Sequence, residues 1–248
     1  MSSERPMGVL QKSSDLIELL AVRGPLTPAE IAEEIGMPRS SVYRLAEALS
    51  QVKMTETLPD SRVRVSLRWL HLADGARAAM VEWAGARSVL DRLARDTGQT
   101  TFLSVPRGDE AVCIDWSQGR GINVLILKPG RALPLYAGAA GRVTLAFRDK
   151  DPAAYLARAP FPAFTRRTLQ TASQLRRDIN TTKARGFSIS DEDVTVGIGA
   201  LGVPILGGDE VMRGALSLAG LAVDIRTSQL ELVDHLKESA STLAAGLN

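Results

Sequence analysis

The sequence predicts an α+β protein in two parts, and three observations carry that expectation. Thr27 to Ser50 (TPAEIAEEIGMPRSSVYRLAEALS) places apolar residues at helical spacing on either side of a tight turn. Thr55 to Leu67 (TETLPDSRVRVSL) alternates around Leu58-Pro59-Asp60-Ser61, as a β-hairpin does. From Gln99 onward, short alternating runs parted by turns interleave with helical segments, which predicts an antiparallel sheet carrying helices. The expected boundaries are residues 1–67 for a winged helix-turn-helix, 68–84 for a linker helix and 85–248 for the sheet domain.

Taken in order, Val9 to Val22 has Val9, Leu16, Ile17 and Leu20 near helical spacing, and Arg23-Gly24-Pro25 stops it. Thr27, Pro28 and Glu30 open the next helix as a capping box with proline at N1. Ile31, Ala32 and Ile35 form one apolar stripe and Val42, Leu45, Ala46 and Leu49 another, so two helices can bury facing sides. Gly36 sits in the turn, where a positive φ favours glycine. The outer side of the second helix then carries Arg39, Ser40, Ser41, Tyr43 and Arg44. Arginine pairs bidentately with guanine, and hydroxyls reach phosphates or base edges. An αα-hairpin with a solvated outer face would show the same residues. The basic hairpin that follows favours a winged helix, with Arg62 and Arg64 two apart on one strand face beside the phosphate backbone. Thr27, Arg39, Ser40, Ser41, Tyr43, Arg44, Arg62 and Arg64 are the candidate DNA contacts.

Arg68 to Arg95 is alanine-rich and proline-free, which predicts helix throughout with a break near Gly85. Trp69, Leu70, Leu72 and Trp83 are apolar enough to be buried in linkage or dimer contacts, or in a core. Strands are expected at TTFLSV, AVCIDW, NVLILK and ALPLYA, then helices at Ala139 to Arg148, Asp151 to Arg158 and Ser173 to Arg185. Three more strands follow around FSIS, ALGVPIL and GALSLAG, and a last helix spans Ser228 to Ala245, with Leu230, Val233, Leu236 and Leu243 facing the sheet.

Composition bounds the function. Forty-five percent hydrophobic and 23% charged residues over 248 positions describe an ordinary globular chain. No apolar run reaches the roughly 18 residues of a membrane span, and the N-terminus lacks a signal peptide's charged and apolar regions, so a cytoplasmic protein is expected. A single cysteine, Cys113, excludes an internal disulfide. Two histidines with it cannot build a usual structural zinc site, so no metal or cofactor is expected. Residues 1–67 hold eight Lys or Arg against nine Asp or Glu, a balance of minus one. Phosphate attraction drives much of DNA affinity, so a monomer should bind weakly and need a second copy.

Enzyme chemistry finds little support. Gly197 to Gly202 matches GxGxxG, but Val203-Pro204-Ile205 predicts a strand after it where a dinucleotide loop needs a helix. No GxSxG, HExxH or Walker loop is present, and Cys113 has no nearby histidine to activate it. Asp191, Glu192 and Asp193 have the spacing of a solvated acidic turn. Gly138-Ala139-Ala140-Gly141-Arg142 is more informative, because small residues at a helix start leave backbone donors able to hold a carboxylate. Close helix packing explains the same residues equally well.

With both halves read, the chain resembles the IclR family of bacterial transcriptional regulators. The matching pieces are LTPAEIAEEIGMPRSSVYRLAEAL, the wing, the linker helix, YAGAAGRVTLAF and GFSISDEDVTVGIGALGVPI. The resemblance implies a GAF/profilin-like effector-binding domain, operator DNA as partner, a homodimer or dimer of dimers, and control by a small organic acid, with repression the expected sign. Carried over by motif, it puts the effector's carboxylate at Ala139, Ala140 and Gly141. Ser190, Asp191, Ala200, Ser217 and Ala219 line the polar side, and Ile122, Leu125, Leu133 and Ile198 the apolar side. Ser190, Ala200 and Ala219 stand where glyoxylate-responsive members have acid, cysteine and serine. A small polar acid would be left under-satisfied there, so a flatter aromatic carboxylate is expected. The usual glycine before the wing is replaced around Val52-Lys53-Met54, and the customary Tyr-x-Leu-Gly ending reads Val63 to Leu67, which predicts a differently shaped wing. The rival reading is a metabolite-binding protein or enzyme that uses its N-terminal domain only to dimerise.

Overall fold

The computed structural model describes residues 5–120, 127–148 and 152–247. The chain divides after Ala79 into two compact units. In the first, α1 (Arg5–Arg23), α2 (Pro28–Glu34) and α3 (Arg39–Gln51) close around Leu16, Leu20, Leu26, Ile31, Val42, Ala46 and Leu49. The N-terminus of α2 is built as its sequence predicts. Thr27 Oγ1 accepts from the Glu30 N–H, and the Glu30 carboxylate accepts from the Thr27 N–H at 2.7 Å. Gly36 sits at φ +61° with open space where a Cβ would stand, so conformation and not crowding sets its use.

The wing pairs β1 (Thr55–Thr57) with β2 (Val63–Val65), placing Glu56 opposite Arg64, and Leu26 bridges to Val63 to anchor it on the helices. Lys53 adopts φ +60° just before β1, a left-handed position that costs an L-residue about 1 kcal/mol or more. The chain thus keeps the backbone shape of a glycine turn without the glycine. After the wing, α4 (Arg68–Ala78) is shorter than its composition suggests. The helix ends at Ala78, Met80 leaves helical space at ψ 62°, and a 3₁₀ turn at Val81–Trp83 precedes α5 (Ala86–Thr97). Alanine-rich propensity is overridden because α4 has no fully buried side chain. Trp69 is half-buried, its indole N–H donating to Met54 O at 2.8 Å, while Leu70 and Leu72 are exposed. Trp83 packs in the core of the second unit.

That unit is a six-stranded antiparallel sheet of order β5-β4-β3-β8-β7-β6. Its strands are β3 (Thr100–Arg107), β4 (Glu110–Ser117), β5 (Ala132–Pro134), β6 (Ser188–Asp191), β7 (Ile198–Leu206) and β8 (Met212–Leu221). One face carries Leu103, Leu201, Val203, Leu216 and Leu218 against α5 and α10 (Gln229–Ala245). The other face is covered by α6 (Gly138–Phe147), α7 (Ala153–Leu156) and α8 (Ala172–Arg185), which pack through Val143, Leu145, Tyr155, Leu175 and Ile179. Residues 198–202 of the GxGxxG match lie within β7, so that stretch forms no phosphate loop. The strand expected at NVLILK falls at residues 123–128, of which 123–126 lie outside the described residues. The helix expected from Asp151 to Arg158 is the single turn of α7. The sequence also conceals α9 (Ala222–Thr227), and Leu230 is exposed where Leu232 takes the inward place on α10.

Candidate functional site

Two places have the equipment for function, one in each unit. On α3, Val42, Ala46 and Leu49 face the core, which turns Arg39, Ser40, Tyr43 and Arg44 outward, with Ser41 half-buried. Arg39 and Arg44 make no ion pair or hydrogen bond among the described residues, so both guanidiniums are free to meet a phosphate or a base edge. The wing differs. Arg64 donates to Glu56 and Arg62 to Asp60, each at 2.7 Å. Arg62 lies just outside β2, and its side chain curls onto the hairpin turn. Thr27 is occupied by its cap. The two wing arginines are therefore neutralised locally, whereas Arg39 and Arg44 on α3 are unpaired among the described residues.

In the second unit the site is a cavity between the sheet and the first turn of α6. Register places Ser190, Ala200 and Ala219 side by side across β6, β7 and β8, and Gly202, Ser217 and Phe102 in the neighbouring row. Apart from Phe102, these positions are small and make a low floor. A Cβ on Gly202 would lie 2.9 Å from Ala139 O, so glycine lets α6 settle onto the sheet. The cavity left beyond it is small, about 60 Å³, below the roughly 300–1,000 Å³ of typical small-molecule sites. Phe102, Leu127, Leu133, Val194 and Ile198 supply its apolar wall.

The polar side is sparse and ordered. Ala139 and Ala140, at the start of α6, have backbone N–H groups with no acceptor among the described residues, as first-turn donors do not. Ser217, only 3% exposed, lines the cavity with its hydroxyl unpartnered among the described residues. The Ser190 hydroxyl donates to Asp193 Oδ1. The same carboxylate accepts through Oδ2 from the Gly138 N–H at 3.1 Å and from Arg142 Nη1 at 3.3 Å. Arg142 grips Asp178 of α8 with Nε at 2.8 Å and with Nη2. Burial alone would pull this guanidinium below its ordinary value, but the bonds to Asp178 and Asp193 outweigh burial and hold it above.

Loop 191–197 is fastened over the cavity from outside. Thr165 and Thr168 donate to the carbonyls of Glu192 and Asp193, while Arg167 and Arg226 pair with Asp191 and Glu192. Asp191 is thus a surface anchor and does not line the cavity. Gly141 does not line it either. A Cβ there would meet Pro134 O at 2.5 Å, so this glycine serves helix packing. Ala139, Ala140, Ser190, Ala200, Ser217, Ala219, Leu133 and Ile198 come together as lining residues, whereas Ile122 and Leu125 lie outside the described residues. Phe102, Leu127, Gly138, Val194 and Thr195 also line it and were missed. Phe102 was legible, since its strand alternation sets it opposite Leu103. Cys113 lies buried nearby, and burial with the Asp115 charge pushes its thiol up to about 12, which leaves it inert. No metal-ligand cluster exists among the described residues.

A helix-turn-helix with unpaired arginines on its outer helix, in one chain with a mostly apolar cavity edged by free helix-start donors, defines a DNA-binding regulator with a sensory domain. The family described as "IclR helix-turn-helix domain" matches residues 9–59, and "Bacterial transcriptional regulator IclR C-terminal" matches residues 83–245. The chain belongs to the IclR family, whose members are transcriptional regulators and not enzymes. It is 24% identical to the HTH-type transcriptional regulator KipR of Bacillus subtilis over 92% of each chain. It is 26% identical to the transcriptional repressor IclR of Escherichia coli, covering 85% of this chain and 79% of that protein. In fold it is similar to an IclR homologue from Microbacterium hydrocarbonoxydans crystallised with 4-hydroxybenzoate, with a TM-score of 0.82 at 20% identity, covering 96% and 98% of the two chains.

Proposed function

We propose that this regulator acts as a cytoplasmic repressor that leaves its operator when an aromatic carboxylic acid fills the cavity over β6, β7 and β8. The observation that carries the reading is the pairing of free donors with an apolar wall. The Ala139 and Ala140 N–H groups and the Ser217 hydroxyl suit a carboxylate, and Phe102, Leu127, Leu133 and Ile198 suit a flat ring. The 4-hydroxybenzoate complex of the Microbacterium homologue and the repressor name of the Escherichia coli relative support the same reading.

On the DNA side, Arg39 and Arg44 read a major groove, with Ser40, Ser41 and Tyr43 beside them and the wing resting on the backbone. A second copy supplies the other half-site, so the operator is a near-palindrome with half-sites about one helical turn, or a multiple of it, apart. The homodimer, or dimer of dimers, draws on α4, whose Leu70 is 65% exposed beside Leu67 at 70% on an element with no buried residue. Effector binding favours one of two states, and the difference in their DNA affinity is the regulatory coupling.

Isothermal titration with benzoate and glyoxylate tests the effector class. Benzoate binding tighter than glyoxylate is the expected result, and tighter glyoxylate would overturn the aromatic reading.

A further inference from the structure

We infer that the effector carries a hydrogen-bond donor on the carbon next to its carboxylate, and so belongs to the aromatic 2-hydroxy acids. The inference rests on the cavity being the effector site and adds a requirement that the carboxylate and ring alone do not impose. It follows from where one proton goes. A serine hydroxyl has one proton and two lone pairs, whereas a carboxylate paired with arginine can only accept. The Ser190 proton is therefore committed to Asp193 Oδ1, which Arg142 and the Gly138 N–H hold through its other oxygen. Ser190 is 5% exposed and lines the cavity, so toward a ligand it presents lone pairs alone.

The position of that acceptor is also fixed. One carboxylate bonds both Ser190 and the first residue of α6, which sets the Ser190 oxygen beside the turn where Ala139 and Ala140 offer their N–H groups. A ligand with a bare methylene or ring carbon next to its carboxylate leaves the buried Ser190 oxygen unsatisfied. A hydroxyl at that carbon satisfies it. In this scheme Asp193 is a positioning residue. It never touches the ligand, but it decides which way the Ser190 hydrogen points.

Titration calorimetry of the full chain with matched pairs tests this, using each enantiomer of mandelate against phenylacetate and each enantiomer of 3-phenyllactate against 3-phenylpropionate. At least one hydroxylated member should bind about tenfold more tightly than its partner, the gain of one well-formed hydrogen bond. In Ser190→Ala the ratio should collapse to within about twofold. In Asp193→Asn the amide can donate to Ser190 and free its proton toward the cavity, so the hydroxyl preference should fall or reverse, a change that loss of packing alone would not produce. Circular dichroism confirms folding, and Ser190→Ala keeps the test open where Asp193→Asn does not fold. Equal binding within both pairs, or a preference that survives Ser190→Ala, overturns the inference and leaves the aromatic-acid pocket standing. Binding of none of these acids to the folded chain overturns the pocket reading and this inference together.

Discussion

Replacing Arg142 by leucine should unfold the sensory unit at much lower denaturant. The guanidinium is the only cation that bonds Asp178 and Asp193 among the described residues, and their side chains are 12% and 2% exposed. Leucine fills part of the volume but leaves two carboxylates without a counter-charge. Removing one partner of a buried ion pair costs about 3–5 kcal/mol, since the desolvated charge left behind is uncompensated. Arg142→Lys keeps the charge but loses the two-point grip on Asp178, so a smaller cost of about 1.5–3 kcal/mol is expected. Urea unfolding in a Trp69→Phe background isolates the unit, because the remaining tryptophans, Trp83 and Trp116, both lie in it. With a slope of roughly 2 kcal/mol per molar, the Arg142→Leu midpoint should drop by about 1.5–2.5 M. A drop under about 0.5 M at unchanged slope would show that the network contributes no such stability.

Three other outcomes are expected. Arg44→Ala should cost about 1–3 kcal/mol on a cognate operator and lower the salt dependence of binding, whereas Arg64→Ala, already paired with Glu56, should cost less than Arg44→Ala in the same anisotropy titration. Lys53→Gly relieves a left-handed residue and should raise the stability of the first unit by about 0.5–1 kcal/mol in thermal melts followed by circular dichroism. Hydrogen bonds from the Thr27 backbone N–H and hydroxyl hold Glu30 below its ordinary value. A carboxylate with a depressed folded value adds stability above its unfolded value of 4.5, lost as pH falls through the folded value. Melting temperatures of the wild type should therefore converge on those of Glu30→Gln as pH falls below about 4.5.

Much of the fold was legible because it rests on local rules. The capping box at Thr27, the glycine turn at Gly36, the α3 stripe and the strand alternation of β3, β7 and β8 are each set by a few neighbouring residues. The misses came where long-range packing decides. Nothing local shows that α4 packs no fully buried residue within its own unit, so its early end at Ala78 was hidden, and so was the short α9. In the cavity, the motif pointed to Ala139, Ala140 and Ser190, but which acid of Asp191-Glu192-Asp193 turns inward depends on Arg142 and Gly138, some 50 residues earlier. Adjacent residues on a turn look alike until that partner is known. The wing arginines were legible as charges and not as pairs, because only the β1–β2 register brings Glu56 opposite Arg64.

In the proposed scheme this chain binds one kind of DNA site and releases it when an acid fills the cavity. Purified full-length protein should be used to capture fragmented DNA of its source genome, with sequencing of the captured fragments, in the absence and presence of mandelate, salicylate and benzoate. One sharply enriched near-palindromic site is expected, its recovery falling steeply with salt and lost when an acid is added. No enrichment at low salt, or enrichment that none of the acids changes while calorimetry shows them bound, would contradict it.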